Sequence, residues 1–105
     1  MDTKEKLISC LNQAYGATKK GDYKKNNILQ NEILSITKII KENGESQIFQ
    51  ELLMLDDPNI QVYAGKQLLD IDKDDEIAKS VLEKISISDI PHCSLAARII
   101  LTGRP

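Results

Sequence analysis

Apolar residues recur every three or four positions along almost the whole chain, a spacing that places them on one face of an α-helix. The clearest series is Leu29, Ile33, Ile36 and Ile40, which steps by four, three and four residues. Residues 85–90 alternate like a β-strand, but a single strand has no partner for its hydrogen bonds. The pattern therefore predicts an all-α chain.

Residues that start or end helices divide this pattern into six predicted helices. Asp or Ser before a helix accepts hydrogen bonds from its first N–H groups, Pro fits the first turn, and Gly fits the position after the last turn. Such residues, with Asn, occur at the junctions: Asp2, Gly21, Asp22, Asn43, Gly44, Ser46, Asp57, Pro58, Pro91 and Gly103. Because the connections are short, we expect three antiparallel hairpins in a single domain, residues 1–105.

Each predicted helix has one face that is expected to point into the core. From the first helix to the sixth, these residues are Leu7, Leu11, Ala14 and Thr18; Leu29, Ile33, Ile36 and Ile40; Ile48, Phe49, Leu52 and Leu53; Ile60, Ala64, Leu68 and Ile71; Ile77, Ala78, Val81, Leu82 and Ile85; and Leu95, Ala96, Ile99 and Ile100. Aromatic residues are only 4% of the chain, so the core has few flat surfaces on which a base or a flavin could stack.

Composition narrows the class of protein. The chain has 105 residues, with 14 Lys or Arg and 16 Asp or Glu, so its formal net charge is −2. This balance argues against binding a polyanion through bulk charge. Two cysteines, Cys10 and Cys93, are too few for a disulfide framework and are typical of a reducing compartment. Residues 1–6 lack a hydrophobic signal core, and no apolar run reaches the roughly 18 residues of a membrane span. We therefore expect a soluble cytoplasmic protein.

Charge is distributed unevenly along the chain. Residues 1–44 carry eight Lys and five acidic residues, whereas residues 45–105 carry six Lys or Arg and eleven acidic residues. The densest acidic stretch contains Asp70, Asp72, Asp74, Asp75 and Glu76. A basic partner, such as a nuclease toxin domain, would be attracted to this half because complementary potentials speed association.

The acidic stretch has three interpretations. Its first three aspartates have the spacing of an EF-hand calcium loop, but Asp75 occupies the sixth position in place of Gly and Val81 occupies the twelfth in place of Glu. Calcium binding is therefore not predicted. Residues 74–76 could instead complement the positive end of the fifth helix, or the stretch could be a docking surface for a basic partner. The sequence leaves both of these open.

Other chemistry-bearing residues are few. His92 and Cys93 are adjacent, and adjacent residues on a helix point about 100° apart, so they do not form the pair that a Cys–His nucleophile needs. Three Cys and His residues in all are too few for a tetrahedral zinc site. A short basic patch contains Lys19, Lys20, Tyr23, Lys24 and Lys25, but it does not extend along a groove as nucleic-acid binding requires. We predict no catalytic residue, cofactor or metal.

Residues 57–69 carry a family resemblance. They run Asp, Pro, Asn, Ile, Gln, Val, Tyr, Ala, Gly, Lys, Gln, Leu, Leu, which is similar to the second helix of a HEAT repeat, with Gln61 in place of the usual Arg and Gly65 in place of the second Ala. Together with residues 17–24, 81–85 and 94–97, this block makes residues 14–102 resemble a small bacterial HEAT-like family, domain-of-unknown-function family 2019. Members often end in a helix that contains Trp, which this chain lacks.

The resemblance implies a HEAT- or armadillo-like right-handed superhelix with a non-enzymatic, protein-binding role. Some relatives of this kind are encoded beside polymorphic or contact-dependent toxins as immunity proteins. The alternatives are a structural adaptor or self-assembling homodimer and, more distantly, a nucleic-acid accessory protein. Retention on heparin at physiological salt would favour the last of these.

The predicted partner-binding surface combines the polar face of the later helices with the acidic stretch. In stacked hairpins the second helix of each pair lines the concave face, so outward polar residues of the second, fourth and sixth helices would face a partner. On the second helix these are Gln30, Asn31 and Lys38. The predicted partner-binding residues of the rest of the chain are Gln61, Lys66, Gln67, Asp70, Asp72, Asp74, Asp75, Glu76 and Arg98.

Overall fold

Six α-helices make up the regular secondary structure of residues 2–103, the part of the chain that this computed structural model describes. They are α1 (Thr3–Lys20), α2 (Tyr23–Glu42), α3 (Gln47–Leu53), α4 (Pro58–Ile71), α5 (Glu76–Ser86) and α6 (Pro91–Thr102). Within residues 2–103 there is no β-strand, so the prediction of an all-α chain with six helices is confirmed. In the same range, no helix is both long enough and apolar enough to span a membrane. The superhelical arrangement stays a prediction.

Aspartate side chains begin four of the helices, as the sequence predicts for three of them. The carboxylate of Asp2 accepts a hydrogen bond from the N–H of Glu5, and that of Asp22 accepts one from Lys25. Asp57 and Asp75 cap α4 and α5 in the same way. These bonds satisfy N–H groups that have no partner inside the helix, so each helix start is determined locally.

Gly21 ends α1 in a conformation that other residues rarely adopt. Its φ of 73° lies in the left-handed region, where a glycine has no side chain to clash. The chain reverses there, and the N–H of Asp22 donates to the carbonyl oxygen of Ala17 at 2.9 Å. The α1–α2 turn is therefore encoded by the Gly-Asp pair.

Removing the cap of α4 should weaken the fold measurably. The Asp57 carboxylate accepts hydrogen bonds from the N–H groups of Asn59 at 3.1 Å and Ile60 at 3.3 Å. We expect Asp57→Ala to lower the free energy of unfolding by about 1–2 kcal/mol, because both N–H groups lose their acceptor. Urea unfolding followed by circular dichroism measures this. The exposed neighbour Asp56 is the control: Asp56→Ala should change stability by less than about 0.5 kcal/mol, and an equal loss would contradict the capping role.

The described residues fall into two compact units that divide between Ile48 and Phe49. In the first unit, α1 packs against α2. The predicted stripe of α2 is entirely buried, and Leu7 on α1 is fully buried. An ion pair between Lys6 and Glu32, 3.6 Å apart, joins the two helices at the surface. The first predicted hairpin is thereby confirmed.

In the second unit, α5 packs against both α6 and α4, and α4 also contacts α6. A Cβ atom on Gly65 would lie 2.9 Å from Cγ of Leu82, so the absence of a side chain at Gly65 lets α5 approach α4 closely. On the α3 side, the fully buried ring of Phe49 meets the ring of Tyr63 edge-on, with centroids 6.0 Å apart. Small and aromatic residues of α4 therefore set how its neighbours pack.

Several residues predicted to face inward are exposed instead. They are Thr18, Ile71, Ile77, Leu95 and Ile99. On α6 the buried residues are Cys93, Ser94 and Ala97, which lie on the side of the helix opposite Leu95 and Ile99. The prediction for α6 is wrong because it assigns the largest aliphatic residues to the core, whereas this helix packs through small ones.

Candidate functional site

The acidic segment, defined as residues 70–76, joins α4 to α5. Asp70 and Ile71 are the last residues of α4, the turn follows, and Glu76 begins α5. The N–H of Asp75 donates to the carbonyl oxygen of Asp72 at 3.1 Å, which closes the turn. The segment contains five carboxylates and one lysine, so its net charge is −4.

Only part of this charge is used within the fold. Asp75 accepts from the N–H of Ala78 at 3.0 Å as the N-cap of α5, and Asp72 accepts from the N–H of Asp74 at 3.0 Å within the turn. Neither the Asp74 nor the Glu76 carboxylate hydrogen-bonds or ion-pairs with any residue in the range 2–103, and both residues are exposed. Helix capping therefore accounts directly for one carboxylate of the five.

A partly open apolar cleft adjoins the acidic segment. Its volume is about 260 Å³, and it is lined by Gln50, Leu53, Met54, Leu68, Asp75 and Ile77. Residues of α3, α4 and the start of α5 thus converge on one depression, with the capping aspartate on its wall. The cleft lies entirely within the second unit.

Large apolar side chains border the cleft and are open to solvent. Met54 is 71% exposed and Ile77 is 63% exposed, whereas Leu53 and Leu68 are buried. Ile71, also exposed, follows Leu68 by three residues and so lies on the same face of α4, one turn further on. Exposed apolar side chains therefore stand beside buried ones around the cleft.

The predicted polar residues of α4 and α6 take different roles. Lys66 is exposed and lies 3.3 Å from the carboxylate of Asp70, with which it forms an ion pair. Gln61 is half-buried and donates to the carbonyl oxygen of Leu53 at 3.0 Å. Arg98 is exposed, and its Nε donates to the carbonyl oxygen of Ser86 at 3.0 Å, where α5 ends. Gln61 and Arg98 therefore link neighbouring helix ends within the fold.

Gln67 does not belong to an outward polar face. It is buried, with 8% of its surface exposed. The prediction that it points outward is wrong because Gln67 follows Ile60 by seven residues and Ala64 by three, which places it on the buried face of α4 although its side chain is polar. On α2, the predicted outward residues Gln30, Asn31 and Lys38 are exposed.

Sequence reasoning misses the residues that form the cleft. The apolar series of α5 predicts Ile77 in the core beside Ala78, and Met54 continues an apolar run without any sign of a separate role. Four consecutive apolar residues, 52–55, are more than one face of a short helix can bury. That excess is the pattern from which an exposed apolar residue beside α3 could be predicted.

A second exposed apolar surface lies on α6. Leu95 is 57% exposed and Ile99 is 60% exposed, and their spacing of four residues places them side by side on the helix. A shallower depression in the first unit, of about 380 Å³, is lined by Asp22, Lys24, Lys25, Ile28 and Leu29.

Both cysteine thiols are core groups. Cys93 is 3% exposed, while the adjacent His92 is exposed. Burial raises the pKa of the Cys10 thiol above its ordinary value of 9.0, and the charge of Glu32 raises it further. Cys10 is therefore protonated at neutral pH. Over residues 2–103, no three His, Cys, Asp or Glu side chains are grouped so that they could hold a metal ion.

Comparison of the chain with protein-family models, with curated proteins and with solved structures gave no match. The resemblance to domain-of-unknown-function family 2019 stays a prediction from the residues that carry it.

Proposed function

We propose that this protein is a non-enzymatic binding module that recognises a basic protein through the acidic segment. Within that class, we propose a cytoplasmic immunity protein that neutralises a toxin domain, which is the role of some relatives of the family that the chain resembles. The observation that carries the proposal is that Asp74 and Glu76 are exposed and that neither carboxylate bonds to any residue in the range 2–103.

The excess charge has a physical consequence for binding. Asp74 and Glu76 are exposed side by side with Asp72 and Asp75, so their mutual repulsion is relieved when a cation approaches. A protein with a Lys- or Arg-rich surface would be steered to this segment, and the association rate would fall as salt screens the charges.

The experiment begins with the gene next to the one that encodes this protein. If that gene encodes a toxin domain, the domain is purified separately and then mixed with the protein. Binding at nanomolar affinity that weakens as salt is raised, together with loss of the toxin's activity in the complex, would support the proposal. A neighbouring gene set with no toxin, or a toxin domain that does not bind at any salt concentration, would contradict it.

Neutralising the unpaired carboxylates should slow association with the toxin domain. We expect Asp74→Asn with Glu76→Gln to reduce the association rate constant about tenfold at low salt, with a smaller reduction at high salt. Surface plasmon resonance at several salt concentrations measures this. The matched control is Glu83→Gln with Asp89→Asn, which also removes one Glu charge and one Asp charge, but from exposed positions elsewhere in the same unit. Equal slowing by both double variants would show that net charge matters and the segment does not.

A second candidate is a self-assembling adaptor, which the exposed α6 surface favours. Leu95 and Ile99 would be covered if two copies packed through α6. This candidate predicts an equilibrium between monomer and dimer, so that the average sedimentation coefficient rises with protein concentration. The double variant Leu95→Ser with Ile99→Ser would abolish that rise. A monomer at all concentrations would exclude it.

A further inference from the structure

We propose that the cleft between α3, α4 and the start of α5 receives one large apolar side chain of the partner, flanked there by Lys or Arg residues that pair with the acidic segment. This inference rests on the proposed function, because it specifies which feature of a basic partner is recognised.

The size and lining of the cleft suit a single side chain. Engineered protein cavities of about 150 Å³ bind benzene, and sites for drug-sized molecules are about 300–1,000 Å³. A cleft of about 260 Å³ therefore has room for a Leu, Ile, Met or Phe side chain and little more. Leu53 and Leu68 would form its floor, and Met54 is flexible enough to close over different shapes.

The charges beside the cleft favour cations on both sides of that side chain. Asp75 lines the cleft, and Asp74 and Glu76 are its immediate neighbours in the chain. Lys73 is the only cation within the acidic segment, and Lys79 lies one turn after Asp75, so negative charge dominates around Asp75. A segment with the pattern basic, apolar, basic therefore matches both the cleft and the charges that adjoin it.

The same charges disfavour a second copy of this chain as the occupant. A symmetric dimer that joined cleft to cleft would bring two acidic segments, each of net charge −4, against one another. Like charges at an interface oppose association, whereas a basic segment relieves the repulsion that already exists. We therefore commit to a basic, apolar protein segment.

The test is a titration of the nitrogen-15-labelled protein with three synthetic peptides, followed by two-dimensional NMR. The first peptide is acetyl-Gly-Lys-Lys-Leu-Leu-Lys-Lys-Gly-amide; the second replaces both Leu with Ser, and the third replaces all Lys with Glu. We expect saturable shifts of the Met54, Asp75 and Ile77 amide signals with the first peptide. The Ser peptide should bind about tenfold more weakly, since it has no side chain to bury, and the Glu peptide should cause no shift.

Matched variants assign the shifts to the cleft. Ile77→Lys removes an apolar wall and adds a charge that repels the peptide, whereas Ile99→Lys makes the same change at a similarly exposed position on α6. We expect Ile77→Lys to reduce peptide affinity at least about tenfold and Ile99→Lys to leave it unchanged. The NMR spectrum of each variant reports whether it is folded.

Three results of these NMR experiments would overturn the inference. They are equal peptide binding by Ile77→Lys and the unaltered protein, shifts confined to α6, and cleft signals that move with protein concentration in the absence of peptide, which would indicate a second copy.

The toxin-binding experiment separates this inference from the proposed function. If the toxin domain binds Ile77→Lys as tightly as the unaltered protein, the cleft inference fails and the proposed function stands. If the toxin domain binds neither, the proposed function fails, while the peptides still decide what the cleft accepts.

Discussion

Replacing Phe49 with alanine is expected to lower the free energy of unfolding by about 3–5 kcal/mol, a large effect for a single substitution. The Phe49 side chain is fully buried, and its ring meets that of Tyr63 at an interplanar angle of 70°. Truncation would remove the aromatic contact and leave a cavity. A helix of only seven residues, such as α3, is stable only through packing of this kind. Loss of the Phe49 ring should therefore also disorder the α3 wall of the cleft.

Thermal and urea unfolding measure the effect of Phe49→Ala, and Tyr23→Ala is the control. Tyr23 is 74% exposed, so its truncation should change stability by less than about 0.5 kcal/mol. Phe49→Leu keeps an apolar side chain and should have an intermediate effect. A loss below about 1 kcal/mol for Phe49→Ala would contradict the burial of this ring and its role in holding α3.

Placing valine at Gly65 is expected to lower the free energy of unfolding by about 3 kcal/mol. The new Cβ would lie 2.9 Å from Cγ of Leu82 and 3.1 Å from both of its Cδ atoms, so α5 would have to move away from α4. Valine forms helices better than glycine does, which offsets the clash by less than about 1 kcal/mol. The steric effect should therefore dominate.

A double-mutant cycle isolates the contact between the two helices. Leu82→Ala alone removes a fully buried side chain and should cost about 2–5 kcal/mol. In the double variant, the valine at position 65 occupies part of the space that Leu82 leaves, so the combined loss should be less than the sum of the two single losses. Additive losses would contradict the close approach of the helices.

Gly16→Ala is the control for helix propensity. No neighbouring atom lies within 4 Å of the position that its Cβ would take, so the substitution should stabilise α1 by about 0.5–1 kcal/mol.

The positions of the helix ends follow from residues that are close together in the chain. Asp2, Asp22, Asp57 and Asp75 each bond to an N–H group two or three residues away, and these bonds form wherever the local chain turns into a helix. For the same reason, the turn at Gly21 is predictable. Local hydrogen bonding of this kind needs no knowledge of the rest of the fold.

The direction in which each helix faces is predictable only where one neighbour covers it. On α2 the predicted stripe is buried, because α1 covers a single face. On α4, which contacts both α5 and α6, Gly65 and Leu69 are buried outside the predicted stripe, and on α6 the small residues Cys93 and Ala97 are buried in place of Leu95. Periodicity identifies which residues share a face, but it does not identify which face a neighbour will cover.

The acidic half of the candidate site can be predicted from the sequence, whereas the apolar half cannot. Its acidic half is visible in the sequence, because five carboxylates within seven residues are unusual whatever the fold. Its apolar half is not visible, because Met54, Leu68 and Ile77 are far apart in the chain and meet only when α3, α4 and α5 pack. The sequence by itself determined the helices, their ends and the charge between α4 and α5, since these depend on short-range bonding and composition. Only the tertiary structure decided which apolar residues stay exposed and converge on the cleft, since burial depends on contacts between residues that are distant in the chain.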